Sequence, residues 1–348
     1  MPYTGMPSTR YQGSKRKFLP FIHKALARYD FKSCLDLFGG TGSVTHLMKR
    51  MGKNWIYNDI IKANTVIARA LFTNEKVSLG KNELLSLFHA RDGFFYDNVI
   101  SEIYPEIYYT DTENNEVDIV TQNIHNLEDD VKKAEAFYCL FQAALIKRPY
   151  NLFHRANLHM RTKEVKRSFG NKVTWDKPFI HHMEKFYDEL VEYRLNSFGS
   201  QGVILNKDAF HIDCHCDLVY IDTPYSKSRN KTETNYFNFY HFLDALLLYN
   251  NIRVLHNSNY SHKPIYNPNR NWFDCKDEMD ALGRLFRKFY RSIVCLSYRS
   301  DGYPSVEMIK NSLSETHKNV IVLETNGKYA LSKKFEENSE VLVCGEPE

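Results

Sequence analysis

Asp222, Thr223, Pro224 and Tyr225 end the stretch Leu218 to Tyr225, LVYIDTPY, and their types suit work on a planar amine. An apolar, strand-forming run leads into the acid, which reads as a buried parallel strand opening into a rigid polar loop. Open α/β sheets place ligands at the carboxyl ends of such strands. Asp222 accepts hydrogen bonds, Pro224 restricts the loop backbone, and Tyr225 offers a flat face. A plain strand followed by a proline turn explains the same four residues, so the surrounding elements must decide.

Those elements begin with SCLDLFGGTGSVTHLMKRMGKNWIYNDI. Ser33 to Leu37 read as a strand, Gly39, Gly40 and Gly42 as a tight turn, and Val44, Leu47, Met48 and Met51 as one face of a helix. Trp55 to Tyr57 form a second strand that exits at Asp59. An acid there suits a ribose held through its hydroxyls. A nicotinamide dinucleotide is the competing ligand, but Asp36 precedes the glycines and DLFGGTGSV departs from GxGxxG. Upstream, Tyr11, Gly13 and Lys15 precede a helical pattern at Phe18, Leu19, Ile22 and Leu26. Lys15 suits a carboxylate or a phosphate.

Residues 73 to 130 change in character. Asp111, Glu113, Glu116 and Asp118 read as a solvated face beside a TENNE loop. The basic stretch from 147 to 179 carries Lys147, Arg148, Arg155, Arg161, Lys163, Lys166, Arg167 and Lys172. Such a run can hold phosphate oxygens while Asn and His face base edges. It can equally be an unliganded charged surface. Val203 to Leu205 form a strand candidate before Asp208 and Phe210. His211, Cys214, His215 and Cys216 are permissible zinc ligands, but their crowding favours no metal site. Ile252 to Leu255 and Ile293 to Tyr298 read as further strands, and Val320 to Leu323 with Val341 to Val343 as terminal strands or a hairpin. Arg229, after DTPY, suits a phosphate contact or an ordinary exposed loop.

Composition narrows little more. The chain has 348 residues, 43% of them hydrophobic, enough for a substantial core of one or two domains. A net charge of +4 does not by itself imply nucleic acid. No apolar run is long enough to cross a bilayer, and the N-terminal stretch lacks a signal-peptide core. Seven scattered cysteines do not form a secreted disulfide framework, so a cytoplasmic protein with reduced thiols is expected.

The ordered set YxGxK, DLFGGTG, acidic strand exit, DAF, DTPY and SYRSDG resembles Dam-like, D12-class adenine-N6 DNA methyltransferases of the restriction-associated subgroup. The resemblance implies an α/β, Rossmann-like class I methyltransferase sheet with an inserted, partly helical DNA-recognition domain. It divides the chain into 1–72 and 179–348 for the core and 73–178 for target recognition. It implies an S-adenosylmethionine pocket at Tyr11, Gly13, Lys15, Asp36, Phe38, Gly39, Gly40, Asp59, Asp208 and Phe210. Gly39 and Gly40 would clear space for the cofactor, and Asp59 would hold its ribose. Catalysis would fall to Asp222, the Thr223 carbonyl, Pro224 and Tyr225, and double-stranded DNA to Arg148, Arg155, Arg161, Lys163, Lys166, Arg167 and Arg229. Thr223 departs from the usual DPPY, and Arg299 from the usual Asn. A cognate restriction endonuclease, no metal, no membrane and a monomer fit this reading. Cytosine-N4 methylation, RNA or protein-amine methylation and a non-catalytic DNA-binding module are the alternatives.

Overall fold

Alternation of apolar residues builds the sheet. Cys34, Leu218, Tyr220, Cys295 and Leu342 join an apolar cluster on one face, and Leu35, Val219, Ile221, Val294, Leu296 and Val343 join a second on the other. Successive strand residues point to opposite faces, so the sheet is covered on both sides. The computed structural model describes residues 5–8, 11, 13–73, 76–164, 172–197, 199–224, 236–265, 278–325 and 339–348. Its strands are β1 (Ser33–Asp36), β2 (Asn54–Asn58), β3 (Gly202–Leu205), β4 (Leu218–Ile221), β5 (Ile293–Arg299), β6 (His317–Thr325) and β7 (Glu340–Pro347).

Their order is β3-β2-β1-β4-β5-β7-β6. The first five are parallel, while β7 runs antiparallel between β5 and β6. This is a class I methyltransferase sheet. Strand order reverses between β1 and β4, the place where open α/β sheets leave a crevice for ligands. The antiparallel setting of β7 brings its first residue, Glu340, opposite Arg299 at the carboxyl end of β5. A residue near the C-terminus therefore reaches the ligand end of the sheet.

The helices Leu19–Leu26, Lys62–Phe72, Asp130–Ile146, Phe179–Leu195 and Tyr236–Leu247 contribute to the first cluster, and Glu278–Lys288 and Val306–Leu313 to the second. Two local expectations fail. The acidic stretch is the helix Asp111–His125 rather than a loop, with Thr110 and Glu113 closing a capping box at its start. Asp118 is buried and accepts from the Ile100 and Ser101 backbone, so these acids are not one solvated face. Ile252–Leu255 is a short helix, not a strand.

Candidate active site

A cleft of about 790 Å³, open to solvent, lies at the strand-order reversal. Its walls come from the N-terminal turn (Tyr11, Gly13, Lys15), the exits of β1 and β2 (Asp36, Phe38, Gly39, Gly40, Asp59) and the exit of β4 (Asp222, Thr223, Pro224).

The acids at the exits of β1 and β2 are held by the turns beside them. Asp36 Oδ2 accepts from the Thr45 amide at 3.0 Å and the Thr45 hydroxyl at 2.7 Å, tying β1 to the first turn of the helix Ser43–Arg50. Asp59 Oδ2 accepts from the Gly40 amide at 2.8 Å and from Asn64 at 3.1 Å, while Oδ1 accepts from the Ile61 amide at 2.8 Å. Asn64 also donates to the Tyr11 hydroxyl at 3.0 Å. The Tyr11 ring stacks on Tyr240, with centroids 4.0 Å apart. Tyr236, from the same helix as Tyr240, completes the aromatic wall.

Lys15 sits at the start of a short turn capped by Ser14. Its Nζ lies 3.1 Å from Asp222 Oδ1 and 2.8 Å from Glu340 Oε1. The Lys15 and Glu340 side chains are 7% and 0% exposed, whereas Asp222 keeps 20%, an opening onto the cleft. Glu340 also accepts a hydrogen bond from the Ser297 hydroxyl of β5. Burial pushes the Asp222 carboxyl up to about 6; Lys15 opposes that rise and Glu340 adds to it. Burial likewise raises Asp36 to about 7 and Asp59 to about 6, each held back by the hydrogen bonds it accepts.

The structure thus assembles most of the expected pocket, with exceptions. Asp208 and Phe210 do not line this cleft: Asp208 caps a short turn through the Phe210 amide, and the Arg284 guanidinium lies 4.2 Å from the Phe210 ring centroid. Gly39 does not clear space for a ligand. A Cβ there would fall 2.1 Å from the Tyr57 ring, which packs beneath the loop and donates to the Gly40 carbonyl. Gly40 has φ +50°, and a Cβ there would meet only the Phe38 carbonyl oxygen, at 3.9 Å. Tyr225 and Arg229 lie outside the described residues. Sequence reasoning missed Glu340, which sits in no motif, and Tyr236, whose aromatic-rich segment NYFNFYHFLDALL resembles the family's but does not say which ring faces the cleft.

The basic stretch divides. Arg148 is buried and donates to the carbonyls of Leu152, Tyr108 and Arg155. Arg161 is buried against Glu113, to which it donates at 2.9 and 2.6 Å. Neither guanidinium is presented to a phosphate; both brace the segment from inside. Arg155 and Lys163 are exposed, while Lys166 and Arg167 lie outside the described residues. The Phe153 amide donates to the Phe239 carbonyl at 2.9 Å, joining this segment to the helix whose first residue, Tyr236, lines the cleft.

A glycine turn, three carboxylates and one lysine make a cleft with an excess of negative charge, suited to a cation beside a ribose and an amine. The fold and this cleft define a methyltransferase of the class I type. Residues 11–274 match the family model of D12 class N6 adenine-specific DNA methyltransferases, and the chain belongs to that family. It is also 28% identical over 344 residues to a Type II methyltransferase, M2.HphI, from Haemophilus parahaemolyticus, with 94% of each chain covered.

Proposed function

We propose that the chain methylates adenine N6 at a specific site in double-stranded DNA, using S-adenosylmethionine and acting beside a restriction endonuclease. One observation carries the mechanism: Asp222, 20% exposed, opens on the same cleft as the glycine loop and Asp59. The residues fit the cofactor. Gly40, on the cleft wall with no close side-chain neighbour, would let a ligand approach the backbone, Asp59 at the β2 exit would hold the ribose, and Asp36 and Asp222 would complement a sulfonium. When bound, the cofactor supplies an electrophilic methyl group.

Adenine N6 lies inside a duplex, so the base must leave the stack to reach the cleft. The Asp222 carboxylate and the Thr223 carbonyl accept from the amine hydrogens and aim the nitrogen lone pair, while Tyr225 stacks on the flipped ring. Pro224 holds the loop. Asp222 need not remove a proton before attack; its charge stabilises the cation that develops on the amine. Residues 73–178 carry target recognition, with Arg155, Lys163, Lys166 and Arg167 on phosphates, joined by Arg229 from the segment after DTPY. The similarity to a Type II methyltransferase supports the restriction–modification setting, and the family supports the DNA substrate. Among the described residues no helix is long and apolar enough to cross a membrane.

Labelled methyl transfer to mixed DNA followed by nucleoside identification tests the reading, with N6-methyladenine as the expected product. Asp222→Ala removes the acceptor, worth roughly 1.5–3 kcal/mol, and further rate through misalignment. Single-turnover transfer at saturating DNA and cofactor should fall by at least about tenfold, with both ligands still bound. A folded, fully binding Asp222→Ala protein with the parental rate would place the chemistry elsewhere.

A further inference from the structure

Asp222 shares its lysine. The ammonium of Lys15 stands between two carboxylates, 3.1 Å from Asp222 and 2.8 Å from Glu340. Glu340 is the more deeply buried acid and the shorter contact, and it is anchored a second time by the Ser297 hydroxyl. It arrives from β7, beyond the span 11–274 that matches the family model. A buried charge is costly unless it is paired and hydrogen-bonded, and Glu340 gets its compensation from Lys15 and the Ser297 hydroxyl.

We propose that Glu340 is a positioning residue for methyl transfer: by holding Lys15 toward β7 it keeps the Asp222 carboxylate free to accept from the target amine. The inference rests on the reading of Asp222 as the amine acceptor. Without Glu340, the whole ammonium charge would belong to Asp222. Lys15 would then occupy the oxygens the amine needs and make them weaker acceptors. With Glu340 in place, Lys15 is fixed by the buried partner and Asp222 keeps an uncommitted share of its charge. The direction in which Glu340 moves the Asp222 carboxyl, upward against Lys15, agrees with that division.

Among the described residues, the groups facing this pair are Lys15 from the N-terminal turn, Asp36 from the β1 exit, Tyr220 from β4 and Ser297 from β5. The test is single-turnover transfer against pH, with cofactor affinity measured in parallel. In Glu340→Gln the acid limb of the rate profile should move down by about one pH unit, because Lys15 then stabilises ionised Asp222 alone. The plateau rate should fall about tenfold while S-adenosylmethionine affinity changes less than about threefold, since the loss is in orientation. Glu340→Asp, which restores the charge, should bring the limb back toward the parental pH. A merely structural Glu340 would move the melting temperature and leave the limb where it was.

If Glu340→Gln does not fold, the double variant Lys15→Met, Glu340→Gln, which removes both of the charges flanking Asp222, takes its place. There the acid limb should move up, because burial of Asp222 is no longer opposed by a lysine. A parental limb in whichever variant folds overturns the proposal. Asp222→Ala, run alongside, separates the two failures. If it abolishes transfer while Glu340→Gln keeps the parental rate and profile, only the role of Glu340 falls. If Asp222→Ala keeps the parental rate, the acceptor assignment falls and this inference with it.

Discussion

Gly39 and Gly40 are neighbours with different reasons to lack a side chain. A Cβ on Gly39 would strike the Tyr57 ring, whereas one on Gly40, at φ +50°, would meet only the Phe38 carbonyl oxygen, at 3.9 Å. Gly39→Ala should therefore lower stability by about 1–3 kcal/mol through overpacking. Gly40→Ala should cost about 1–2 kcal/mol of left-handed strain and, unlike Gly39→Ala, also place a methyl in the cofactor's path. Thermal melting and calorimetry of both variants check this; equal stability loss and equal affinity loss would refute the distinction. Along the chain the two are indistinguishable, because which side of a turn faces a neighbouring ring is a tertiary fact. Lys15 and Asp222 were legible as chemistry because each sits in a short motif beside a strand or turn. Arg148 and Arg155 were not separable, since charge alone does not say which arginine points inward.

At the scale of elements, the start of the helix Asp111–His125 was written in the chain as Thr110-x-x-Glu113, a capping-box pattern. The density of acids hid it. Glu113 also receives Arg161 and, at 2.8 Å, Lys147, so one carboxylate fixes the helix start and two cations of the basic stretch. Removing it would strand both cations. Glu113→Ala should cost about 3–5 kcal/mol of stability, whereas Asp111→Ala, exposed one turn-position away, should stay within about 0.5 kcal/mol. Denaturant melts of the pair measure it, and a Glu113→Ala protein as stable as Asp111→Ala would remove Glu113 from this role. Ile252–Leu255 misled for another reason: four residues are too few for periodicity to separate a helix turn from a strand. Its Arg253 instead pairs with Asp97 and Glu102, distant in the chain. On the outer surface, replacing Arg155 and Lys163 together by alanine should weaken DNA binding and make its salt dependence shallower by nearly two counterions, with cofactor affinity unchanged. An unchanged slope would exclude both from phosphate contact.

Across the whole molecule, the βαβ unit of residues 33 to 60, the buried strand before DTPY and the two terminal strands were readable, but the place of β7 between β5 and β6 was not, because strand pairing there is non-local. Asp36, Asp59 and Asp222 converge on one cleft at the carboxyl ends of the parallel strands, with Asp36 raised to about 7 and the other two to about 6, chiefly by burial. All three are raised above an ordinary value of 3.8, so in the free protein they bind protons more readily folded than unfolded. Their contribution to stability is fully present below about pH 4 and is lost as pH rises through about 6 to 7. A cationic ligand reverses this, because it favours the ionised carboxylates. Cofactor affinity should therefore strengthen as pH rises through that window. The rise in melting temperature on adding saturating S-adenosylmethionine should be larger at pH 8 than at pH 5.5. S-adenosylhomocysteine, which lacks the sulfonium charge, should show a smaller difference between the two. Scanning calorimetry with each ligand at both pH values gives the comparison. Equal pH dependence for the two ligands would mean that these carboxylates do not answer the sulfonium charge, and that the acidity of the cleft serves something other than the methyl donor.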